Sequence, residues 1–338
     1  MRQRYWIIGG RSTIRHYIYK CLNCFRLKRI KQQQLMGSLP EKRLHPSRPF
    51  LHCGVDYAGP IKIRLNKGRG AKTSKGYIAL YVCFSTKAIH VEMVSDLTTD
   101  AFIASLKRFI SRRGIPAGIY SDNGTNFIGA KRKLSELYKM VLSTDFNNII
   151  STFLSKNECQ WHFIPPVSPH FGGLWESGVK AVKTHLKRVI GDAVLTFEEM
   201  ATLLTQIEGI LNSRPISQIS DSDTSSLDPL TPGHFLIGTA ITALPEKSLL
   251  ETNPQRLNRW QQIQRIVQSY WKQWSRDYLH ELNQRPKWRK EHKNVAVDDL
   301  VLVHEDNLPP TAWLLGRITE VHPGKDEMVR AVTLRTKL

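Results

Sequence analysis

Between residues 49 and 219 the apolar positions follow two alternating rhythms. Short runs rich in Val, Ile, Tyr and Phe read as strands; longer segments with an apolar residue every three or four positions read as helices. A first strand is expected over 50–57, broken by Gly59-Pro60. Two more apolar runs, 76–84 and 88–94, are joined by Ser85-Thr86-Lys87 as a turn. Residues 99–113 form a helix because Phe102, Leu106 and Phe109/Ile110 recur on one face. Thr98 or Thr99 can cap it, and Gly114 and Pro116 stop it. A short strand at 119–121 runs into Asp122-Asn123-Gly124, a helical insertion fills 130–157, and a fifth strand covers 160–164. Helices at 173–190 and 196–211 close this stretch.

Three strands, a helix, a strand, further helix, a strand and two helices match the order of a ribonuclease H-like fold, an α/β architecture on a mixed sheet. The flanks have a different texture. Residues 1–48 are basic, hold Cys21 and Cys24, and end in a polar linker containing Lys31-Gln32-Gln33-Gln34. Residues 220–255 are rich in Ser, Asp, Thr and Pro, a connector, and a helix rich in Trp, Gln and Arg follows at 256–283. Three strand-like runs, 295–303, 313–321 and 328–334, finish the chain. The expected division is therefore 1–48, 49–219, 220–290 and 291–338. Trp271 and Trp274 fall at core spacing on their helix; Trp260 and Trp288 are open to stacking on DNA bases, Trp288 being flanked by Lys287, Arg289 and Lys290.

Charge narrows the partners. The 338 residues carry 49 Lys and Arg against 29 Asp and Glu, a formal net charge of +20. That excess favours a polyanion, either nucleic acid or an acidic membrane surface. It is steepest at the start, where the first fifty residues hold twelve basic side chains and one acid, Glu41. No run of about 18 uncharged apolar residues occurs, which excludes a membrane-spanning helix. Five cysteines, an odd number, do not make a disulfide framework and point to a reducing compartment.

Against this basic background three acids stand out. Asp56 lies inside an apolar strand, where an unpaired carboxylate is costly. Asp122 ends another strand, and Glu176 opens a helix after Gly172-Gly173. Singly, Asp122 is an ordinary turn residue before Asn-Gly and Glu176 an ordinary complement to the helix dipole. Together they offer hard oxygen ligands suited to Mg²⁺ or Mn²⁺, and two such ions about 3.5–4 Å apart would serve phosphodiester chemistry. Lys180, Lys183 and Lys187 follow Glu176 within about 40° around the same helix, a cationic edge that would track a DNA backbone, or else a solvated Lys face.

The blocks Val55-Asp56-Tyr57-Ala58-Gly59-Pro60, Ser121-Asp122-Asn123-Gly124-Thr125-Asn126-Phe127 and Pro169-His170-Phe171-Gly172-Gly173-Leu174-Trp175-Glu176 resemble the three catalytic blocks of retroviral-type integrases. The likeness is greatest to integrases of Pao/BEL-type LTR retrotransposons. Tyr5-Trp6-Ile7-Ile8-Gly9-Gly10-Arg11, Cys21-Leu22-Asn23-Cys24 and Leu211-Asn212-Ser213-Arg214-Pro215 are similar to further blocks of that family. The resemblance implies a DDE-type recombinase, with Asp56, Asp122 and Glu176 as its metal-binding triad. It would process the 3′ ends of retroelement DNA and join them to target DNA, as a homo-oligomer in the nucleus. It also implies a small C-terminal β-barrel, here incomplete, and an N-terminal zinc module using a His pair upstream of the two cysteines. This chain begins too late to contain that pair; His16, Cys21 and Cys24 leave a four-ligand Zn²⁺ site unfilled, so a truncated module is expected. The alternatives are a degenerate or domesticated copy that binds DNA without strand transfer, and a ribonuclease H-type metal nuclease.

Overall fold

The computed structural model describes residues 10–20, 40–68, 70–122, 127–135, 159–164, 173–219, 226–282 and 294–336. Cys21, Cys24, Trp288 and most of the expected 130–157 insertion lie outside these residues; the described part of that stretch, 127–135, is helical. The chain divides into two compact units, Met1–Pro40 and Glu41–Leu338. In the first, helix α1 spans Gly10–Lys20. The rest concerns the second.

A short helix α2 (Glu41–Leu44) precedes strands β1 (His52–Arg64), β2 (Thr73–Cys83) and β3 (Ile89–Val94), helix α3 (Thr99–Arg113), and strands β4 (Gly118–Ser121) and β5 (Gln160–Phe163). The sheet order is β3-β2-β1-β4-β5; β1, β2 and β3 run antiparallel, while β4 and β5 are parallel to β1. Helix α4 (Gly173–Ile190), a two-residue strand β6 (Leu195–Thr196) and helix α5 (Phe197–Asn212) follow. This is the mixed sheet with helices of a ribonuclease H-like fold.

One difference from the sequence reading matters. The first strand does not end at Gly59-Pro60 but continues to Arg64, with a register shift against β2 between Ala58 and Ile61. Proline lacks the ladder donor, and a bulge is where a strand tolerates that loss. Beyond the bulge Ile63 is buried, and β6 pairs alongside it at Leu195.

Each sheet face buries its own cluster. Phe50, Val55, Tyr81 and Ile119 pack with Phe102, Leu106 and Phe109 of α3. Ile78, Leu80 and Val82 pack with Trp175, Val182 and Leu186 of α4, Leu203 and Ile207 of α5, and Tyr270 and Trp271 of a later helix. The α3 cap is Thr98, whose hydroxyl accepts from the Ala101 amide at 3.2 Å. The exposed edge of β3 is closed by the end of α5. Asn212 exchanges two hydrogen bonds with the Ile89 backbone, Glu208 accepts from the Val91 amide, and Arg214 donates to the Lys87 carbonyl. The Leu211–Pro215 block thus protects a strand edge that would otherwise be open to pairing.

Strands β7 (Ser217–Gln218) and β8 (Pro229–Leu230), helix α6 (Pro232–Ile237) and helix α7 (Arg259–Leu282) follow, then β9 (Leu300–Val303), β10 (Leu314–Pro323) and β11 (Val329–Thr336). The last three form a small antiparallel sheet with β10 central. The first of them is shorter than expected, because the chain turns at Asp298 with φ 72°. Trp271 and Trp274 of α7 meet Trp313 edge-on, and the Trp271 indole donates to the Leu308 carbonyl at 2.9 Å. Their core reading is correct. Trp260 is 51% exposed. No described helix is long and apolar enough to cross a membrane.

Besides their apolar contact, α5 and α7 are joined by one ion pair. Glu199 closes a capping box with Thr196 and accepts two hydrogen bonds from Arg259, which hold its carboxyl down at about 2. A depressed carboxyl stabilises the fold above the unfolded value of about 4.5, and that contribution is lost as the pH falls toward 2. Glu199→Gln should therefore lower stability by about 1–2 kcal/mol at pH 7, the gap to the native protein narrowing from pH 4.5 downward in urea titrations.

Candidate active site

The register of β1 and β4 brings two of the three acids together. Gly54 lies opposite Tyr120 on the neighbouring parallel strand. Asp56 lies two residues further along β1, and Asp122 follows directly on the end of β4, so the register sets both at the same end of the sheet. The third acid arrives through packing. Trp175 is buried on the sheet, and a Cβ at Gly54 would sit 2.1 Å from its ring. One turn on, a Cβ at Gly178 would come within 2.9 Å of Leu80. Two glycines, one in the strand and one in the helix, therefore let α4 lie directly on β1 and β2. Glu176, next to Trp175 in the first turn, is delivered to the Asp56 end of the sheet.

Asp56 lies within electrostatic reach of both other acids. The Asp56 carboxyl is raised to about 6, first by burial and then by the negative charges of Asp122 and Glu176. The Tyr57 amide, donating to it at 2.6 Å, and the Lys183 ammonium work in the other direction. Asp122 and Glu176 are exposed, and Asp56 is half-buried. In donor type the trio fits a hard divalent cation, which would offset the burial and the repulsion that keep Asp56 reluctant to ionise. Among the described residues, however, no three His, Cys, Asp or Glu side chains are gathered closely enough to hold an ion. The three carboxylates sense one another without closing into a ligand cage. Lys180, Lys183 and Lys187 are all exposed on α4, as the helical spacing requires. Lys183 lies close enough to act on Asp56, while Lys180 lines a groove toward α7 with His185, Trp274 and Asp277.

Sequence reasoning missed the supporting role of Gly54 and Gly178. The available signal was a glycine inside an otherwise apolar strand, which marks a close approach by another element. It also missed Tyr120, stacked on His162 with ring centroids 4.6 Å apart, two residues before Asp122.

Comparison with known proteins gives three findings. Residues 258–338, covering α7 and the C-terminal sheet, match a protein family of unknown function, DUF5641. The chain is similar in structure to one from the simian T-cell lymphotropic virus intasome in complex with PP2A regulatory subunit B56 gamma, at 14% identity and TM-score 0.38 over 72% of each chain. It is also similar to the HTLV-2 integrase catalytic core domain in complex with magnesium. The dimeric form aligns at 17% identity and TM-score 0.32, over 50% of this chain and 92% of that one. The trimeric form aligns at 16% and 0.33, over 56% and 97%. No curated protein matches the chain.

The raised Asp56 carboxyl makes a stability prediction. A carboxyl whose folded value exceeds its unfolded one favours the fold below about 3.8, and that contribution is lost as the pH rises through about 6. Asp56→Asn removes the ionisation, so the variant should be more stable than the native protein at pH 7.5 by about 2 kcal/mol. The difference should vanish near pH 4. Thermal unfolding at the two pH values measures it, and a variant less stable at pH 7.5 would contradict the assigned environment.

Proposed function

We propose that this chain is a DNA-joining enzyme of the retroviral-integrase type, from a Pao/BEL-like LTR retrotransposon. It processes the 3′ ends of retroelement DNA and transfers them into target DNA. The observation that supports this reading best is the convergence of Asp56, Asp122 and Glu176, from two adjacent parallel strands and a helix start, with Lys183 beside them. In this proposal the three carboxylates hold Mg²⁺ or Mn²⁺, which when bound supplies charge stabilisation at the attacking and leaving oxygens of a phosphodiester. Lys183 holds a phosphate next to the carboxylates, and Lys180 and Lys187 extend the contact along α4. The attacking oxygen belongs to water in end processing and to the DNA 3′-hydroxyl in joining. No Ser, Tyr or Cys side chain need act as nucleophile, and no covalent protein–DNA adduct should form. Action as a homo-oligomer in the nucleus belongs to the same proposal; Cys21 and Cys24 carry no part of it.

Two measurements test it. In a strand-transfer assay with terminal-repeat DNA, Glu176→Gln should depress end processing and joining together by roughly a hundredfold or more, while DNA affinity is kept. A variant that joins ends at the native rate would reduce Glu176 to a helix-start residue. A native protein that binds DNA and yields no joined product would favour the integrase-derived DNA-binding alternative. Separately, Mn²⁺ should raise the thermal midpoint of the native protein and do so much less for Asp56→Asn. An equal rise in both would dissolve the shared site.

A further inference from the structure

The continuation of β1 past its bulge builds a surface that the carboxylate site does not use. From residue 61 to 75 the chain carries six basic residues (Lys62, Arg64, Lys67, Arg69, Lys72, Lys75) and no Asp or Glu. Its two ends pair as a ribbon, with Lys62 opposite Lys75, Ile63 opposite Ser74 and Arg64 opposite Thr73. The Leu65 amide donates to the Lys72 carbonyl at 3.0 Å, and Ile63 is buried beneath the ribbon. Lys62, Arg64 and Lys75 are therefore mounted on paired strands.

Two features of the ribbon point to an anionic ligand. Lys62 and Lys75 are directly opposed and exposed, a like-charge pair that weakens a hairpin unless something compensates it. Among the described residues, Lys62, Arg64, Lys72 and Lys75 have no carboxylate within ion-pair distance. Lys67 alone reaches one, Glu198 at 3.7 Å, in a pair so exposed that it contributes little. The protein thus maintains unneutralised positive charge on a structured element.

The bulge also decides where this charge faces. Ala58 before it and Ile61 and Ile63 after it all join the cluster on the α4 side of the sheet, the side of Asp56. Lys62 lies between the two isoleucines, so Lys62 and its partner Lys75 face the opposite side. Along the strand Lys62 is about 20 Å from Asp56. A phosphate held by this pair is therefore not the phosphate beside the carboxylates.

We propose that the 61–75 hairpin is a second DNA-binding surface, gripping the phosphate backbone of a duplex segment remote from the Asp56 site. A two-stranded ribbon has the width that the DNA major groove admits, and lysines on both of its strands would meet phosphates on either groove wall. The binding needs no catalysis and stands apart from the integrase reading.

The test uses the full chain without added metal, with a random-sequence duplex and salt from about 50 to 200 mM. Lys62→Gln/Lys75→Gln should flatten the slope of log affinity against log salt by about 1.8, the value for two lost phosphate contacts. Lys62→Arg/Lys75→Arg should keep the native slope. The thermal midpoint of the Gln variant should be unchanged or higher, since a repulsion has been removed. If that variant unfolds, lysine acetylation of the native protein serves instead, and duplex DNA should protect Lys62 and Lys75 from modification. An unchanged slope, absent protection, or a loss confined to anionic phospholipid vesicles with DNA binding intact would overturn the proposal. Because no reaction is measured, failure of strand transfer would leave this result standing, and the reverse holds as well.

Discussion

The contact on which the site depends is the Trp175 ring seated over Gly54. An indole cannot lie on a strand that carries a side chain at that point, because a Cβ there would be inside the ring's van der Waals surface. Relieving the overlap would lift the first turn of α4 away from β1, and with it Glu176. Gly178 makes the same demand a turn later against Leu80, so the helix is held close at two points and has little freedom to rock. The position of the third carboxylate is therefore fixed by packing on the sheet, and the other two by strand register.

How far this was legible in the sequence varies from residue to residue. The α3 boundaries were readable because a threonine cap, a 3.6-residue apolar rhythm and Gly114 agree with one another. The stripe through Trp175, Val182 and Leu186 was equally plain. What could not be read was the course of β1 through Gly59-Pro60. A proline normally argues against an interior strand, and only the pairing with β2 shows that a bulge absorbs it. The same limit hid the basic ribbon, since residues 61–75 look like a polar loop until Lys62 is seen opposite Lys75. Convergence of the acids was legible only as a matched order of elements; the sequence contains nothing that states Gly54 lies opposite Tyr120.

The Leu211–Pro215 block shows how a motif can be misassigned if function alone is sought. Its polar side chains are spent inside the fold: Asn212 on the Ile89 backbone, Arg214 on the Lys87 carbonyl, and the Ser213 hydroxyl, which donates to the Ile210 carbonyl at 2.8 Å and accepts from the Trp313 indole at 3.3 Å. The block closes the edge of β3 and receives the aromatic cluster that joins α7 to the C-terminal sheet. That junction explains why a single family match begins at residue 258 and runs through both α7 and the sheet. Trp271, Trp274 and Trp313 form one interior, so the helix and the sheet are physically one piece.

The remaining question is how a protein of net charge +20 keeps a cluster of acids that could attract a cation. More cations packed directly against the three carboxylates would neutralise them and weaken the attraction for a metal. The fold separates the two demands by distance and by face. Among the described residues, Lys183 is the cation set against Asp56 that lowers its proton affinity. The Lys62/Lys75 pair lies about 20 Å away along the strand, on the other side of the sheet. At physiological salt the screening length is about 8 Å, so exposed charges at that separation scarcely affect each other. The Asp56 carboxyl stays raised, by burial first and by the other two acids after it, while the ribbon keeps its unopposed charge. The bulge at Gly59-Pro60 makes both possible on one strand, because it is the point where the outward-facing side chains of β1 change face.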